Sequence, residues 1–498
     1  MPLPAQSVTI AILTDVHYGS SGPIARRRSD IAGILLLRAV HRLNRLIRPD
    51  VVLVPGDLLD DGAAPGAAER LAEMRLILDK LEAPYIAIPG NHDGKVGDFY
   101  SVFDRPDDIV DIAGVRFLPF IDPEAPGYNA TRPHVELARF QQARFGYSGP
   151  IVALQHVCLE PPDRVDVPYN YTNAPDIIEA MADVGVTLSV SGHHHDGAPV
   201  VRNETTTFVT APALCESPFL YTLITLDRAG VHVQTQRLAM PPELRLVDRH
   251  VHTQLAYCSE NMDVVSAISL AEDFGLAGLG FAEHSGQLYF PANHYWGGDY
   301  AEVGVAGARP EHNRVADYLA LKQRYEADDE GLVIRFGLET DVDYAGNLVL
   351  KPSDRERVDY LLGAVHRTPS SRLPAPAVNT IADEFVALVR ALLAAGVDIL
   401  AHPFRLFQHA GLTPPDNLYR TVAALLREHG VAAEINFHAN RPSVAFAHVC
   451  LEAGVKFAFG SDAHHLYEIG EFAGHLRLLA DAGFTGDPSD ILLPPFVQ

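Results

Sequence analysis

Short apolar runs, each ending abruptly in a polar cluster, recur along the chain. In the first half Val8 to Thr14 leads into Asp15-Val16-His17, Val51 to Val54 into Gly56-Asp57, and Tyr85 to Ile88 into Gly90-Asn91-His92-Asp93. Further on, Ile151 to Leu154 leads into Gln155-His156 and Val186 to Val190 into Gly192-His193-His194-His195. Continuous apolar runs of this length predict strands buried on both faces, and Ile31 to Ile47 and Glu69 to Leu81 between them predict helices. An α/β sheet presents its functional groups where such strands end. Thr222 to Leu226 and Val231 to Gln236, joined through Asp227-Arg228-Ala229-Gly230, predict a hairpin that closes this half.

The pattern breaks at Pro241 and Pro242, since proline cannot donate to a sheet ladder. After them Asp248, His250, His252 and Thr253 open a second series, so we divide the chain into a domain over 1–240, a linker over 241–247 and a domain over 248–498. His250 and His252, at i and i+2 on a strand, point to one face and can reach one ion. About one such pair is expected by chance among 23 His in 498 residues, so it gains weight only from the other metal-type residues of the second half.

Gly278 to Ala282 leads to Glu283-His284, Leu332 to Leu338 to Glu339, Leu361 to Val365 to His366, and Val397 to Ala401 to His402-Pro403. Val431 to Glu434 leads to Asn436, and Lys456 to Phe459 to Asp462-Ala463-His464. Counted from Val247, this gives about seven strand-then-ligand units, with helices at Pro310 to Ala327 and Ile381 to Ala395. A barrel of parallel strands places its site where the strands end, which is where every candidate ligand falls. Tyr289, Phe290, Tyr295 and Trp296 fall in a long Gly-rich loop after the His284 strand. That loop either covers the site and stacks on a base or sugar, or folds down as a simple lid.

The chain length exceeds what one core supports and predicts two or more domains; 47% hydrophobic and 20% charged residues are ordinary globular values. A formal charge of −24 argues against a protein that coats nucleic acid or anionic membrane, so an anionic substrate has to be captured by cations inside a site. The N-terminal MPLPAQSVTIAILTDVHYG lacks a basic start and its apolar run ends in Asp15, which reads as a strand and not a signal peptide. Ile31 to Leu37 is too short to span a membrane. Cys158, Cys215, Cys258 and Cys450 lie far apart without CxxC spacing, which suits reduced thiols and a cytoplasmic location. Cys215 and Cys450 read as small buried residues, and Ser370 to Ala377, rich in proline and alanine, as a loop.

Carboxylates, imidazoles and one amide oxygen at the strand ends of the first half suit two divalent ions about 3.5–4 Å apart, which can bind the attacking and leaving oxygens of a phosphoryl displacement. Through DxH (Asp15, His17), GD (Asp57), GNHD (Asn91 to Asp93), His156 and GHxH (His193, His195), in that order, this half resembles the calcineurin-like metallophosphoesterase family. The resemblance implies an α/β/β/α sandwich in which Asp15, His17 and His195 hold one metal, Asn91, His156 and His193 the other, and Asp57 bridges them. It also implies that His92 approaches the phosphate and protonates the leaving oxygen. His194 lies between two ligands on the opposite face of an extended stretch, as a support for them or as a substrate-facing group. Arg26, Arg27 and Arg28 either contact a phosphate or form a solvated start to the following helix.

The second half resembles the PHP (polymerase and histidinol phosphatase) family, through DRHVHT at Asp248 to Thr253, Glu283-His284, Leu338-Glu339, Val365-His366, His402-Pro403 and SDAH at Ser461 to His464. This implies a distorted (βα)7 barrel in which His250, His252 and Asp462 bind one metal, Glu339 bridges, and His366 and His402 hold a second. His284 and His464 hold a third in the members that have three. Such members often carry another His shortly after HxHT, where this chain has Cys258, either a thiolate ligand or a buried thiol beside a two-metal site. Arg367 and Arg405 directly follow ligands and either fork onto a phosphate or pair with carboxylates near the rim. His409, His438 and His465 are left to structural or rim roles.

Together these readings imply an α/β protein with two phosphoesterase domains and divalent Mn, Zn or Fe ions, two in the first site and two or three in the second. In both, a metal-bound hydroxide would attack phosphorus. One domain would open a small phosphodiester, cyclic nucleotides and sugar esters included, and the other would hydrolyse the resulting monoester, with Asp57, His92, Glu339, Arg367 and Arg405 in catalytic roles. The alternative keeps one site catalytic and makes the other a nucleotide or phosphate sensor or a scaffold. The expected partner is a small phosphate ester, with no bulk nucleic-acid or membrane binding, and the sequence carries no sign of oligomeric state.

Overall fold

The computed structural model describes residues 4, 6–19, 22, 26–162, 164–328, 331–374 and 377–496. The chain divides into two compact units, Met1–Ala239 and Met240–Gln498.

In the first unit a five-stranded sheet runs in the order Gly230–Arg237, Leu220–Asp227, Val8–Ile12, Val51–Val54, Tyr85–Ala87, the last three strands parallel. A six-stranded sheet runs Val201–Arg202, Thr207–Thr210, Leu188–Ser191, Ile151–Leu154, Val115–Pro119, Val110–Ile112, parallel except at its two edges. Alternation along the strands sends Ile10, Ile12, Leu53 and Ile86 of the first sheet and Phe117, Val152, Leu154 and Val190 of the second into one shared core. The other face of the second sheet packs Ile151 and Ala153 with Phe140 of helix His134–Arg144 and with Ile177 and Met181 of helix Ala174–Val184. Helices Ala32–Arg42 and Ala67–Leu78 bury Leu35, Leu36, Leu71 and Met74 to complete the α/β/β/α layers.

The helix expected over Ile31 to Ile47 is α-helical only to Arg42. It widens into a π turn at Leu43–Ile47, which Arg48 ends in the left-handed region. Helix His134–Arg144 leaves no mark in the apolar pattern because it buries only Arg139, Phe140 and Ala143. Strand Thr207–Thr210 hides for a similar reason, half of its buried side chains being threonine.

Seven parallel strands follow one another in the second unit: Val247–Val251, Gly278–His284, Val333–Asp341, Leu361–Ala364, Ile399–Leu400, Ala432–Ile435 and Phe457–Phe459. The sheet nearly closes into a barrel. Its first and last strands meet at a parallel bridge from Val251 to Ala463, and the carboxylate of Asp248 accepts across the gap from the N–H groups of Ser461 (2.9 Å) and Gly470 (2.8 Å). The interior is filled by small residues, Ala282, Ala364, Ala401, Ala432 and Ala458, around Leu362, Ile399 and Tyr360.

Two expectations change here. Pro310 to Ala327 is not one long helix: a 3-10 turn at Pro310–His312 precedes the helix Val315–Tyr325, and Ala327 already belongs to a short strand. The Gly-rich segment is not a loop but three short helices, Ser285–Tyr289, Ala292–Gly297 and Asp299–Val303. Tyr289, Phe290 and Tyr295 are buried, Tyr295 stacked on Tyr300 at 5.0 Å, and Trp296 alone of the four aromatics is exposed. Burial of these rings outweighs the flexibility of the glycines. Within Ser370 to Ala377 a 3-10 turn spans Pro369–Arg372, while 375 and 376 lie outside the described residues, as do 1–3 and 5 of the N-terminal stretch.

The turns bearing Asp57 and Asn91 cross at Gly90. A Cβ added there would lie 2.2 Å from Asp57 Oδ1 and 2.7 Å from His156 Cε1, whereas one added at Gly97 would meet nothing within 4 Å. Thermal unfolding of the two variants should show Gly90→Ala losing about 1–3 kcal/mol and Gly97→Ala changing by less than about 1 kcal/mol.

Candidate metal centres

Both units carry their polar side chains on turns that follow strands, and the backbone there is strained. Among the described residues thirteen non-glycine residues have φ in the left-handed region, and six of them are Asp15, His17, Asp57, His193, His402 and Asp462. That region costs a residue with a Cβ about 1–3 kcal/mol, so the fold holds these side chains in place against their local preference.

In the first unit Asp15, His17 and His195 offer ligand atoms within 4.8 Å of one another, as do Asp57, His156 and His193, and also His17, Asp57 and His92. Asp57 Oδ2 stands between two of these groups, 3.5 Å from His17 Nε2 and 3.4 Å from His156 Nε2. Most rings are held from behind. Glu216 takes His195 Nδ1 (2.7 Å), Pro55 O takes His156 Nδ1 (2.7 Å), Tyr128 O takes His193 Nε2 (2.9 Å) and Asp60 O takes His92 Nδ1 (2.7 Å). These oxygens only accept, so each held nitrogen carries a proton, and the other nitrogen of each ring is turned into the site, where it can bind an ion or take up a second proton. His156 Nε2 faces two acceptors, His193 Nδ1 at 3.2 Å and Asn91 Oδ1 at 2.9 Å. His17 Nε2 lies 3.0 Å from His195 Nε2, and its buried Nδ1 has no hydrogen-bond partner. Burial disfavours charge on His156, yet Asp57 raises it to about 9, while burial and His156 push His193 down to about 4. Asp57 thus favours positive charge beside it.

In the second unit Glu339, buried, is the hub. Its Oε1 lies 2.7 Å from His402 Nε2 and 3.3 Å from His366 Nε2; its Oε2 lies 2.5 Å from His284 Nδ1 and 3.5 Å from His250 Nε2. Asp462 Oδ1 lies 2.9 Å from His252 Nε2 and 3.5 Å from His250 Nε2. Behind the rings stand Glu434 on His250 Nδ1 (2.7 Å), Glu283 on His252 Nδ1 (3.2 Å), Asp341 on His366 Nδ1 (2.7 Å) and the Asp462 carbonyl on His464 Nδ1 (2.7 Å). His250 Nε2, His284 Nδ1 and Glu339 Oε2 are buried without a hydrogen-bond partner, although the last two almost touch. Burial and Arg405 push His402 to about 3, and burial and His252 push His464 to about 2, so both rings are neutral at neutral pH. Burial alone would raise Glu339, but His284, His250 and His366 hold it far below the carboxylate range. Imidazole nitrogens with a shared carboxylate are a donor set for divalent ions, and the residues of both units fit them.

A family model for the calcineurin-like phosphoesterases matches residues 8–197, and one for the PHP domain matches residues 248–438. The chain joins a calcineurin-like phosphoesterase domain to a PHP domain. Three curated relatives match 42–48% of it each. A "Probable phosphatase" of Shewanella sediminis is 26% identical over 250 residues, 48% of this chain and 86% of its own. A "Probable histidinol-phosphatase" of Deinococcus radiodurans is 26% identical over 261 residues, 48% and 94% of the two chains. A "Probable cyclic nucleotide phosphodiesterase" of Rhodococcus erythropolis is 25% identical over 227 residues, 42% and 70%. The protein is a metal-dependent phosphoric ester hydrolase. Among the described residues no helix is long and apolar enough to cross a membrane.

In the PHP domain Arg405 turns to a carboxylate, pairing with Asp462 and donating to Asn436 Oδ1 (3.1 Å). Arg367 donates to the carbonyls of Trp296 (2.7 Å) and Gly297 (3.2 Å) in the short helices. His409 Nε2 meets Ala439 O at 3.2 Å, His465 caps the turn Leu466–Glu468, and His438 stacks on His464 at 4.3 Å. In the calcineurin-like domain the three arginines all meet carboxylates, Arg26 on Asp196 and Glu216, Arg27 on Asp60 and Arg28 on Asp30. His194 sits 6.1 Å, ring to ring, from Tyr169. Beside Asn91, His156 and His193 opens a cavity of about 240 Å³ walled by Phe120, Tyr128 and Tyr171, room for the organic part of a small ester.

Sequence reasoning gave no role to the carboxylates behind the rings. Glu283 and Glu434 stand there only as strand-end residues, and Asp341, which shares a strand face with Glu339 at i+2, could have been found by the same pattern. Glu216 lies outside any strand and carries no such signal. Carboxylates in this position orient the ring and make it more basic. Asp341→Ala should therefore weaken metal binding by the PHP domain about 10–100-fold, read by titration against a competing chelator.

A second group sets a pH dependence. Glu160, 1% exposed, accepts from Thr210 Oγ1 (2.7 Å) on one oxygen and has no partner on the other; burial raises it from 4.5 to about 7. A raised carboxyl stays protonated in the fold while the unfolded chain ionises, so the stability it contributes is full below about 4.5 and lost as pH rises to about 7. The stability difference between wild type and Glu160→Gln should fall across that window and be flat above it, measured by denaturant unfolding at a series of pH values.

Proposed function

We propose that the two domains act in succession on one small phosphate ester, the calcineurin-like domain cleaving a diester and the PHP domain releasing phosphate from the monoester. The observation that carries this reading is that each domain gathers His and carboxylate groups able to hold an ion, some of them on strained turns. An idle site has no need to bear that cost. Relatives named as a cyclic nucleotide phosphodiesterase and as a histidinol-phosphatase add support, since the two names cover diester and monoester chemistry.

When bound, divalent ions supply Lewis acidity to the phosphoryl oxygens and lower the pKa of water. Asp15, His17 and His195 would hold one ion and Asn91, His156 and His193 the other, with Asp57 between them. His92, anchored through Nδ1 to Asp60 O, is left with Nε2 to carry a proton to the leaving oxygen. In the PHP domain His250, His252 and Asp462 would hold one ion and His366 and His402 a second, with Glu339 shared. Arg405 acts through Asp462 as a positioning residue, and Arg367 through the carbonyls that it ties down.

The test is release of alcohol and phosphate from an aryl phosphodiester and its monoester by manganese-loaded wild type, Asp57→Asn and His402→Ala. Asp57→Asn should lower diester cleavage by a factor on the order of 10²–10⁴ and spare the monoester, while His402→Ala should do the reverse and let monoester accumulate. If one variant loses both reactions and the other neither, succession is wrong, and the silent half is a sensor or scaffold.

A further inference from the structure

We propose that Cys258 is a thiolate ligand of a further metal ion in the PHP domain, completing a site with His284 and His464 whose metal preference differs from that of the ions around Glu339. The proposal rests on the metal-dependent reading of that domain. His252, His284 and His464 offer nitrogens within 4.8 Å of one another. The sulfur joins this group from the loop after the first barrel strand, with Cys258 Sγ only 3.0 Å from His464 Nε2. That nitrogen is the bare one, because Nδ1 of the same ring gives its proton to the Asp462 carbonyl at 2.7 Å.

The opposite side of the sulfur is also occupied, by a donor. Gln287 Nε2 points at Sγ from 3.3 Å. The amide cannot turn round, since its Oε1 accepts from the backbone N–H of Tyr257 at 2.5 Å and the whole side chain is buried. The N–H fixes the position of the sulfur and is compatible with the thiol and with the thiolate that an ion would bind. Arg314 locks the two pieces together, donating to Leu255 O (2.9 Å) in the Cys258 loop and to Gln287 O (2.8 Å), with its guanidinium 4.3 Å over the Tyr257 ring.

The other cysteines lack this setting. Cys158, Cys215 and Cys450 are buried, and Cys158 is turned to the Gly192 carbonyl. One thiolate and two imidazoles select zinc or cobalt over manganese, because a soft ligand in a low-coordinate set disfavours the hard, six-coordinate ion. They also leave a fourth position open, as catalytic sites do.

Cobalt(II) makes the sulfur visible without any assay of turnover. The full-length protein, stripped and reloaded with cobalt, is compared with Cys258→Ser and Cys258→His for its near-ultraviolet thiolate-to-cobalt band and its metal count by mass spectrometry. Wild type should show the band; Cys258→Ser should lose it together with one ion per chain; Cys258→His should lose the band and keep the ion. Absence of the band in wild type, or a band and count unchanged in Cys258→Ser, would overturn the assignment. The band does not depend on phosphate release, so its loss or presence is read separately from the order of the two hydrolytic steps.

Discussion

Opposed electron pairs set the terms for this protein. In each domain several imidazoles are tied down through one nitrogen, which turns the other toward a neighbouring nitrogen or a carboxylate oxygen. Packed in a low-dielectric interior, these nitrogens and carboxylates call for positive charge, which protons on the rings or a bound cation would supply. Everything else serves to hold them there. The strands end where the groups begin, the turns take up unfavourable dihedrals, Gly90 gives up a Cβ so that two turns can cross, and Gly460 leaves room for the Glu434 and His250 side chains.

The two domains reach the same arrangement from unrelated architectures, and they differ in what stands behind the rings. In the calcineurin-like domain His92, His156 and His193 lean on backbone carbonyls. In the PHP domain His250, His252 and His366 lean on the carboxylates Glu434, Glu283 and Asp341. A neutral carbonyl fixes direction alone, whereas a carboxylate also pushes electron density into the ring. Each domain has one exception, His195 on Glu216 and His464 on the Asp462 carbonyl, so carboxylate backing is the commoner device in the PHP domain.

Much of this is legible in the amino-acid sequence alone. The apolar runs and their polar ends mark most of the site-bearing strands, and the motif order separates the two domains. What escapes notice does so for physical reasons. Helix His134–Arg144 buries too few apolar residues to show a stripe, and the short helices after His284 form because tyrosines pack, against the expectation that glycines set. Arg405 could fork onto a phosphate or pair with a carboxylate, and only three dimensions bring Asp462 beside it, 57 residues away. Glu216 stands behind His195 across a shorter gap of sequence, where no local pattern reaches.

The near-closure of the PHP barrel has a consequence for assembly. His250 and His252 lie on or just after the first strand, and Asp462 and His464 follow the last, on either side of the joint where the backbone ladder thins to one bridge and the Asp248 contacts. An ion shared by these residues would act as a rivet in the wall. Since the rivet takes ligands from both ends of the domain, the centre cannot form on a growing chain until its final strand has been made.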